Sequence, residues 1–229
     1  MKTLTSRIDE RYLLRKIAPT HELLSYAVAC DKYADDLISH EEMQNELCRY
    51  LDTAALRFRC LSESLGRSKE PSVSEIVTES ITMFVDAVTR TPSLRHKNLN
   101  VFSERNLKLP TGESRKPDIS IWDGDVMKVV IECKTCLGRR RKEWMTDFES
   151  RIKEFSNFGL SQSSMLLFVG TDNTWKGFPS GDARINKTWF SLCPVGTWYG
   201  GGKAGEVPLI ERQHAKTLSS LRDAIVSLV

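Results

Sequence analysis

Two carboxylates and one ammonium stand at a spacing that could grip a divalent cation against a phosphate. Asp118 lies in Lys116-Pro117-Asp118, and fourteen residues after it comes Glu132 of Glu132-Cys133-Lys134. A hard cation such as Mg²⁺ takes one or two carboxylates, keeps several waters and accepts phosphate oxygens. An amine beside it can orient an attacking water and offset negative charge growing on the phosphoryl oxygens. The chemistry implied is hydrolysis of a phosphodiester.

Whether the three side chains can meet depends on the elements that carry them. Pro117 to Trp122 alternates in residue type, and Met127 to Lys134 is a β-branched run that turns polar at its end. Asp123-Gly124-Asp125 between them supplies a glycine for a tight reversal, so the segment reads as a hairpin. Side chains alternate along a strand, which puts Glu132 and Lys134 on one side and Ile131 and Cys133 on the other. A register with Asp118 opposite Glu132 or Val130 brings all three polar groups to one face, whereas a slip of one residue separates them. Pro117 is compatible with the start of a strand.

The flanking pattern predicts a helix over 72–90, a strand over 98–107 and a turn at Pro110-Thr111-Gly112. After the hairpin it predicts an amphipathic helix carrying Trp144, Phe148, Ile152 and Phe155, then a buried strand over 165–169. Pro117-Asp118 with Glu132-Cys133-Lys134, in this order of helix, three strands, helix and strand, resembles the PD-(D/E)XK nuclease superfamily. The short signature matches without substitution, and the resemblance spans roughly residues 72–172.

The resemblance implies an α/β fold with a restriction-endonuclease-like core, a central mixed β-sheet flanked by helices, preceded by an N-terminal helical region. It implies a Mg²⁺-dependent phosphodiesterase, with Mn²⁺ as a substitute. The activity expected is a DNA endonuclease of restriction or phage-defence type, leaving a 5′ phosphate and a 3′ hydroxyl. Asp118, Glu132 and the backbone carbonyl of Cys133 would hold the metal, and Lys134 would assist the attacking water. Many such proteins add an acidic residue from an early helix. Glu46 is the choice here, at the flank of an apolar stripe, with Glu75, Glu79 and Glu104 as further candidates. The alternatives are a catalytically silent nucleic-acid-binding or assembly module, an RNA-directed nuclease, or a structural sheet whose edge carries three solvated charges.

Composition sets the frame. With 229 residues the chain can bury one substantial core. It divides into an N-terminal helical region (1–71), a nuclease core (72–172) and a Gly/aromatic extension with a closing helix (173–229). Lys plus Arg number 33 against 30 acidic residues, a net charge of +3 that is only a mild lean toward polyanions. Arg139, Arg140, Arg141 and Lys142 directly follow the proposed active strand. They could contact a phosphate backbone or form a solvated loop. No apolar stretch approaches a membrane span and no signal-peptide pattern opens the chain, so a cytoplasmic protein is expected, with DNA as partner and a homodimer or a larger defence complex as its assembly.

Six cysteines are scattered without a disulfide framework, and Cys133-x-x-Cys136 lacks a second ligand pair for zinc. The four histidines are isolated from any nucleophile. Residues 20–65 read as two helices broken near Ser39, where Ser39-x-x-Glu42 can form a capping box. The second carries an apolar stripe of Met43, Leu47, Tyr50, Leu51, Ala54 and Phe58. Residues 66–72 read as a linker. Trp175, Trp189, Trp198 and Tyr199, among glycines, could stack on bases, but tryptophans in such a place more commonly seal a core. Leu218, Leu221, Ile225 and Leu228 line a last helix that could cover the sheet or form a dimer seam.

Overall fold

Side-chain caps start the first two helices where the sequence offers them. The Thr20 hydroxyl accepts from the Leu23 amide at 3.3 Å to open α1 (His21–Ala34). At the start of α2 (His40–Ser64), the Ser39 amide donates to Glu42 at 2.7 Å and the Glu42 amide donates to the Ser39 hydroxyl at 3.2 Å. This is the expected capping box, with two otherwise orphaned donors satisfied reciprocally. The computed structural model describes residues 3–8, 20–64, 74–108, 112, 114–136, 141–171, 182–193, 213 and 216–229. The linker at 66–72, Pro110, Thr111, Trp175, Trp198 and Tyr199 therefore lie outside the described residues, as do the side chains of Phe58 and Trp144.

Helix α3 (Ser74–Thr89) buries Val77, Ile81, Phe84 and Val88, a 4-3-4 spacing that makes one continuous face. The chain then enters β1 (Leu99–Ser103). The single strand expected over 98–107 is in fact two. Glu104 takes a φ of 51°, which ends β1, and Leu107 pairs instead with Arg115 in a short ribbon of β2 (Leu107–Lys108) and β3 (Ser114–Arg115). Leu107 is buried in a different core from β1's Leu99, and this separation is what the break achieves.

The expected hairpin is β4 (Ile119–Asp123) and β5 (Val126–Cys136), reversed at Gly124 with a φ of 57°. Ile119 faces Ile131 and Ile121 faces Val129. The register then shifts so that Trp122 faces Met127, a bulge that confines its irregularity to the turn end of the hairpin. Helix α4 (Arg141–Ser156), a 3-10 turn and β6 (Met165–Thr171) follow, then β7 (Trp189–Cys193) and α5 (Thr217–Leu228).

These strands form a five-stranded mixed sheet in the order β1-β4-β5-β6-β7, antiparallel through β5 and parallel from there on. The fold is therefore α/β, with helices on both faces. One face carries Ile119, Ile121, Val129, Ile131, Cys133, Leu166 and Phe168, packed against residues of α1, α2, α3 and α5. The other carries Val130, Met165, Leu167, Val169 and Trp189, packed against Phe148 and Phe155 of α4. Coverage of both faces explains the consecutive apolar residues 129–131 of β5 and 165–169 of β6.

Two open alternatives are decided by this packing. Leu218, Leu221 and Ile225 of α5 are buried in the first core, so that stripe covers the sheet. Trp189 is buried in the second core with the Arg184 guanidinium 3.6 Å from its ring centre, so it seals an edge. Among the described residues no helix is long and apolar enough to cross a membrane.

Candidate active site

The register that puts Ile119 opposite Ile131 places Asp118, one residue earlier, at the level of Glu132. Backbone donors and acceptors from both neighbours fix it there. Asp118 Oδ2 accepts from the Cys133 amide at 2.7 Å, and the Asp118 carbonyl accepts from the Glu104 amide at 3.1 Å. The turn that ends β1 thus also anchors the acidic residue, and buried Pro117 sets the entry just before it.

Glu132 and Lys134 project from β5 on the same face as Asp118. Lys134 Nζ lies 4.0 Å from Asp118 Oδ2 and 3.7 Å from Glu132 Oε2. The structure therefore brings Asp118, Glu132 and Lys134 together. Cys133 points the other way, into the first core, where burial pushes its thiol well above the usual cysteine range. In a strand the N–H and C=O of one residue face the same edge. Because the Cys133 amide faces Asp118, its carbonyl opens toward the same side.

Glu132 is fully buried, while Lys134 is 43% exposed and Asp118 25%. Burial, followed by repulsion from Asp118, pushes the Glu132 pKa up, and Arg151 and Lys134 pull it back only partly. One Glu132 oxygen pairs with the Arg151 guanidinium of α4. The other, Oε1, is buried with no hydrogen-bond partner among the described residues. An orphaned carboxylate oxygen beside a second carboxylate is an arrangement that a cation relieves. The oxygen-only donor set suits a hard cation such as Mg²⁺, which needs no more than one or two carboxylates. Among the described residues no cluster of three or more His, Cys, Asp or Glu side chains suited to a metal is formed.

Glu46 is placed elsewhere. It pairs with Arg49 on α2 and borders a pocket of about 580 Å³ with His21, Leu24 and Val28 of α1, so its position does not support Glu46 as a ligand of this site. The stripe that suggested it buries Met43, Leu47 and Leu51 against other helices, on the face of the sheet opposite the carboxylates. Glu75 and Glu79 are exposed on α3. Glu104 adjoins Asp118 through its backbone. Arg139 and Arg140 lie outside the described residues, as do the side chains of Arg141 and Lys142.

Arg151 was not among the expected site residues, although its signal is in the sequence. It stands three residues after Phe148 and four before Phe155, a charge on the buried stripe of α4. A cation there needs a buried partner, and Glu132 is that partner. Arg151 also borders a groove of about 350 Å³ between β3 and α4, shared with Ser114, Arg115, Lys116, Ser150 and Glu154. No family model, curated protein or solved structure matches this chain.

Proposed function

We propose that the chain is a metal-dependent nuclease that hydrolyses phosphodiester bonds, a DNA endonuclease of restriction or phage-defence type with a restriction-endonuclease-like core. The observation that carries this reading is the meeting of Asp118, Glu132 and Lys134 on one sheet face, with Glu132 buried and one of its oxygens unpartnered. The order of helix, antiparallel three-strand meander, helix and parallel strand around the site also supports it.

In this reading Asp118 and Glu132 hold Mg²⁺, with the Cys133 carbonyl directed to the same side. The metal supplies Lewis acidity toward the phosphate oxygens. Asp118, fixed by the Cys133 amide, keeps its carboxylate at the strand entrance. Lys134 orients the attacking water and offsets charge on the phosphoryl oxygens.

Purified protein incubated with plasmid DNA, single-stranded DNA and RNA, in Mg²⁺ or in EDTA, tests the reading. Cutting of DNA in Mg²⁺ alone is expected, and cutting of RNA alone transfers the proposal to an RNA substrate. Lys134→Ala should keep the fold and DNA binding and lower cleavage roughly 10²- to 10⁴-fold. Unchanged cleavage removes the motif from the mechanism.

The second reading, a catalytically silent nucleic-acid-binding module, is favoured by one feature, the ion pair by which Arg151 neutralises Glu132. Calorimetric titration with Mn²⁺ separates the two. Tight DNA binding with no heat of metal binding reverses the preference.

A further inference from the structure

Arg151 stands between two environments. Its guanidinium pairs with fully buried Glu132, yet its own side chain is 43% exposed and borders the groove between β3 and α4. Within that groove Arg115 is already held by Glu154 through two contacts of 2.7 and 3.3 Å. Lys116 and Asp147 also line it, one cation and one carboxylate more. With Arg151 turned to Glu132, the charges of the groove are nearly balanced. With Arg151 turned into it, three cations face two carboxylates, and the Ser114 and Ser150 hydroxyls stand by as further donors.

Resting on the nuclease reading, we propose that this groove binds a phosphate of the strand next to the one being cut. Arg151 is its metal-released arm, leaving Glu132 for the phosphate when a divalent cation takes over the Glu132 charge. A cation and a guanidinium on one carboxylate repel each other at short range, so the two occupants of Glu132 compete. Arg is suited to the second position, since its planar fork binds a phosphate through two parallel hydrogen bonds. Competition at one end and recruitment at the other make metal and DNA binding cooperative. By linkage, each raises affinity for the other by the same factor.

The test measures both ends of that linkage. In calorimetry at one fixed pH, Arg151→Gln should bind Mn²⁺ roughly three- to fivefold more tightly than the unaltered protein, the scale of one lost competing charge. In a Lys134→Ala background, where the strand is not consumed, Mg²⁺ should tighten binding of a duplex oligonucleotide relative to EDTA by about tenfold, the scale of a charge-assisted phosphate contact. That gain should fall toward unity once Arg151→Gln is added. Arg151→Lys keeps the charge without the fork and should keep part of the gain. It serves as the test variant should Arg151→Gln fail to fold by circular dichroism. Unchanged or weaker Mn²⁺ affinity with the metal gain intact overturns the arm alone. If the unaltered protein binds no Mn²⁺, the nuclease reading falls with it.

Discussion

Glu132 concentrates the conflict of the site in one side chain. A buried carboxylate loses its hydration, and a second carboxylate nearby adds repulsion, so the charged form is held at a cost that Arg151 offsets only in part. Because its folded-state pKa lies above the ordinary glutamate value of about 4.5, the native state keeps this proton to higher pH than the unfolded chain. Whatever stability the protonated group contributes is present below that ordinary value and is lost as pH rises through the folded one. Glu132→Gln, which stays neutral and can still accept from Arg151, should therefore melt a few degrees above the unaltered protein at neutral pH. The difference should shrink as pH falls toward 4.5. Differential scanning calorimetry across that range checks it, and a lower melting temperature at neutral pH contradicts it. Such a side chain is retained at the expense of stability, as binding and catalytic groups often are.

Among the elements, the helical turn at 4–8 depends on a residue of another helix. Asp31, near the end of α1, accepts from the Leu4 amide at 2.8 Å, the Thr5 amide at 2.9 Å and the Thr5 hydroxyl at 2.6 Å. The Arg90 guanidinium approaches it at 3.0 Å. Burial pushes the Asp31 carboxyl up, but the Thr5 and Leu4 donors and Arg90 together hold it below its usual range. Its contribution is thus present above the ordinary aspartate value and lost as pH falls through the depressed one. Asp31→Ala leaves two turn amides without their acceptor and takes from the nearly buried Arg90 one of its two carboxylates, Asp86 remaining, which should cost about 1–3 kcal/mol. Urea denaturation measures that cost, and limited proteolysis should find the N-terminal turn cut first. A contact between elements likewise sets where β1 ends. Local alternation could not show that its pattern stops at Glu104, because the positive φ there serves a contact with Asp118 fourteen residues away in the chain.

Across the whole molecule, the sheet is a partition between two cores that share its strands and little else. Ile81 of α3 belongs to one and Phe148 of α4 to the other, on opposite faces. Sheet-to-helix layers are each about 10 Å deep, so the two residues are too far apart to share a cavity. Ile81→Val and Phe148→Leu should each destabilise by about 1 kcal/mol, and the double variant should equal their sum within roughly 0.5 kcal/mol. Urea midpoints of the four proteins give the coupling directly. A coupling well above that would mean that the sheet transmits strain between its faces. The site lies on the α4 side of this partition, with only the Cys133 side chain reaching through to the other.

Features that depend on near neighbours were legible in the amino-acid order. Period-two alternation set Glu132 and Lys134 on one face of β5 and Cys133 on the other, Gly124 marked the hairpin reversal, and Ser39 with Glu42 marked the start of α2. These follow from chirality, side-chain period and short-range hydrogen bonds, which a few residues fully specify. Long-range packing is what closes Arg151 of α4 on Glu132, keeps Glu46 with Arg49 away from the carboxylates, and lays α5 on the sheet. Each of those depends on how helices settle against the two faces. Many sequence stripes are compatible with either face, and burial, charge partnering and excluded volume choose between them only once the chain is packed.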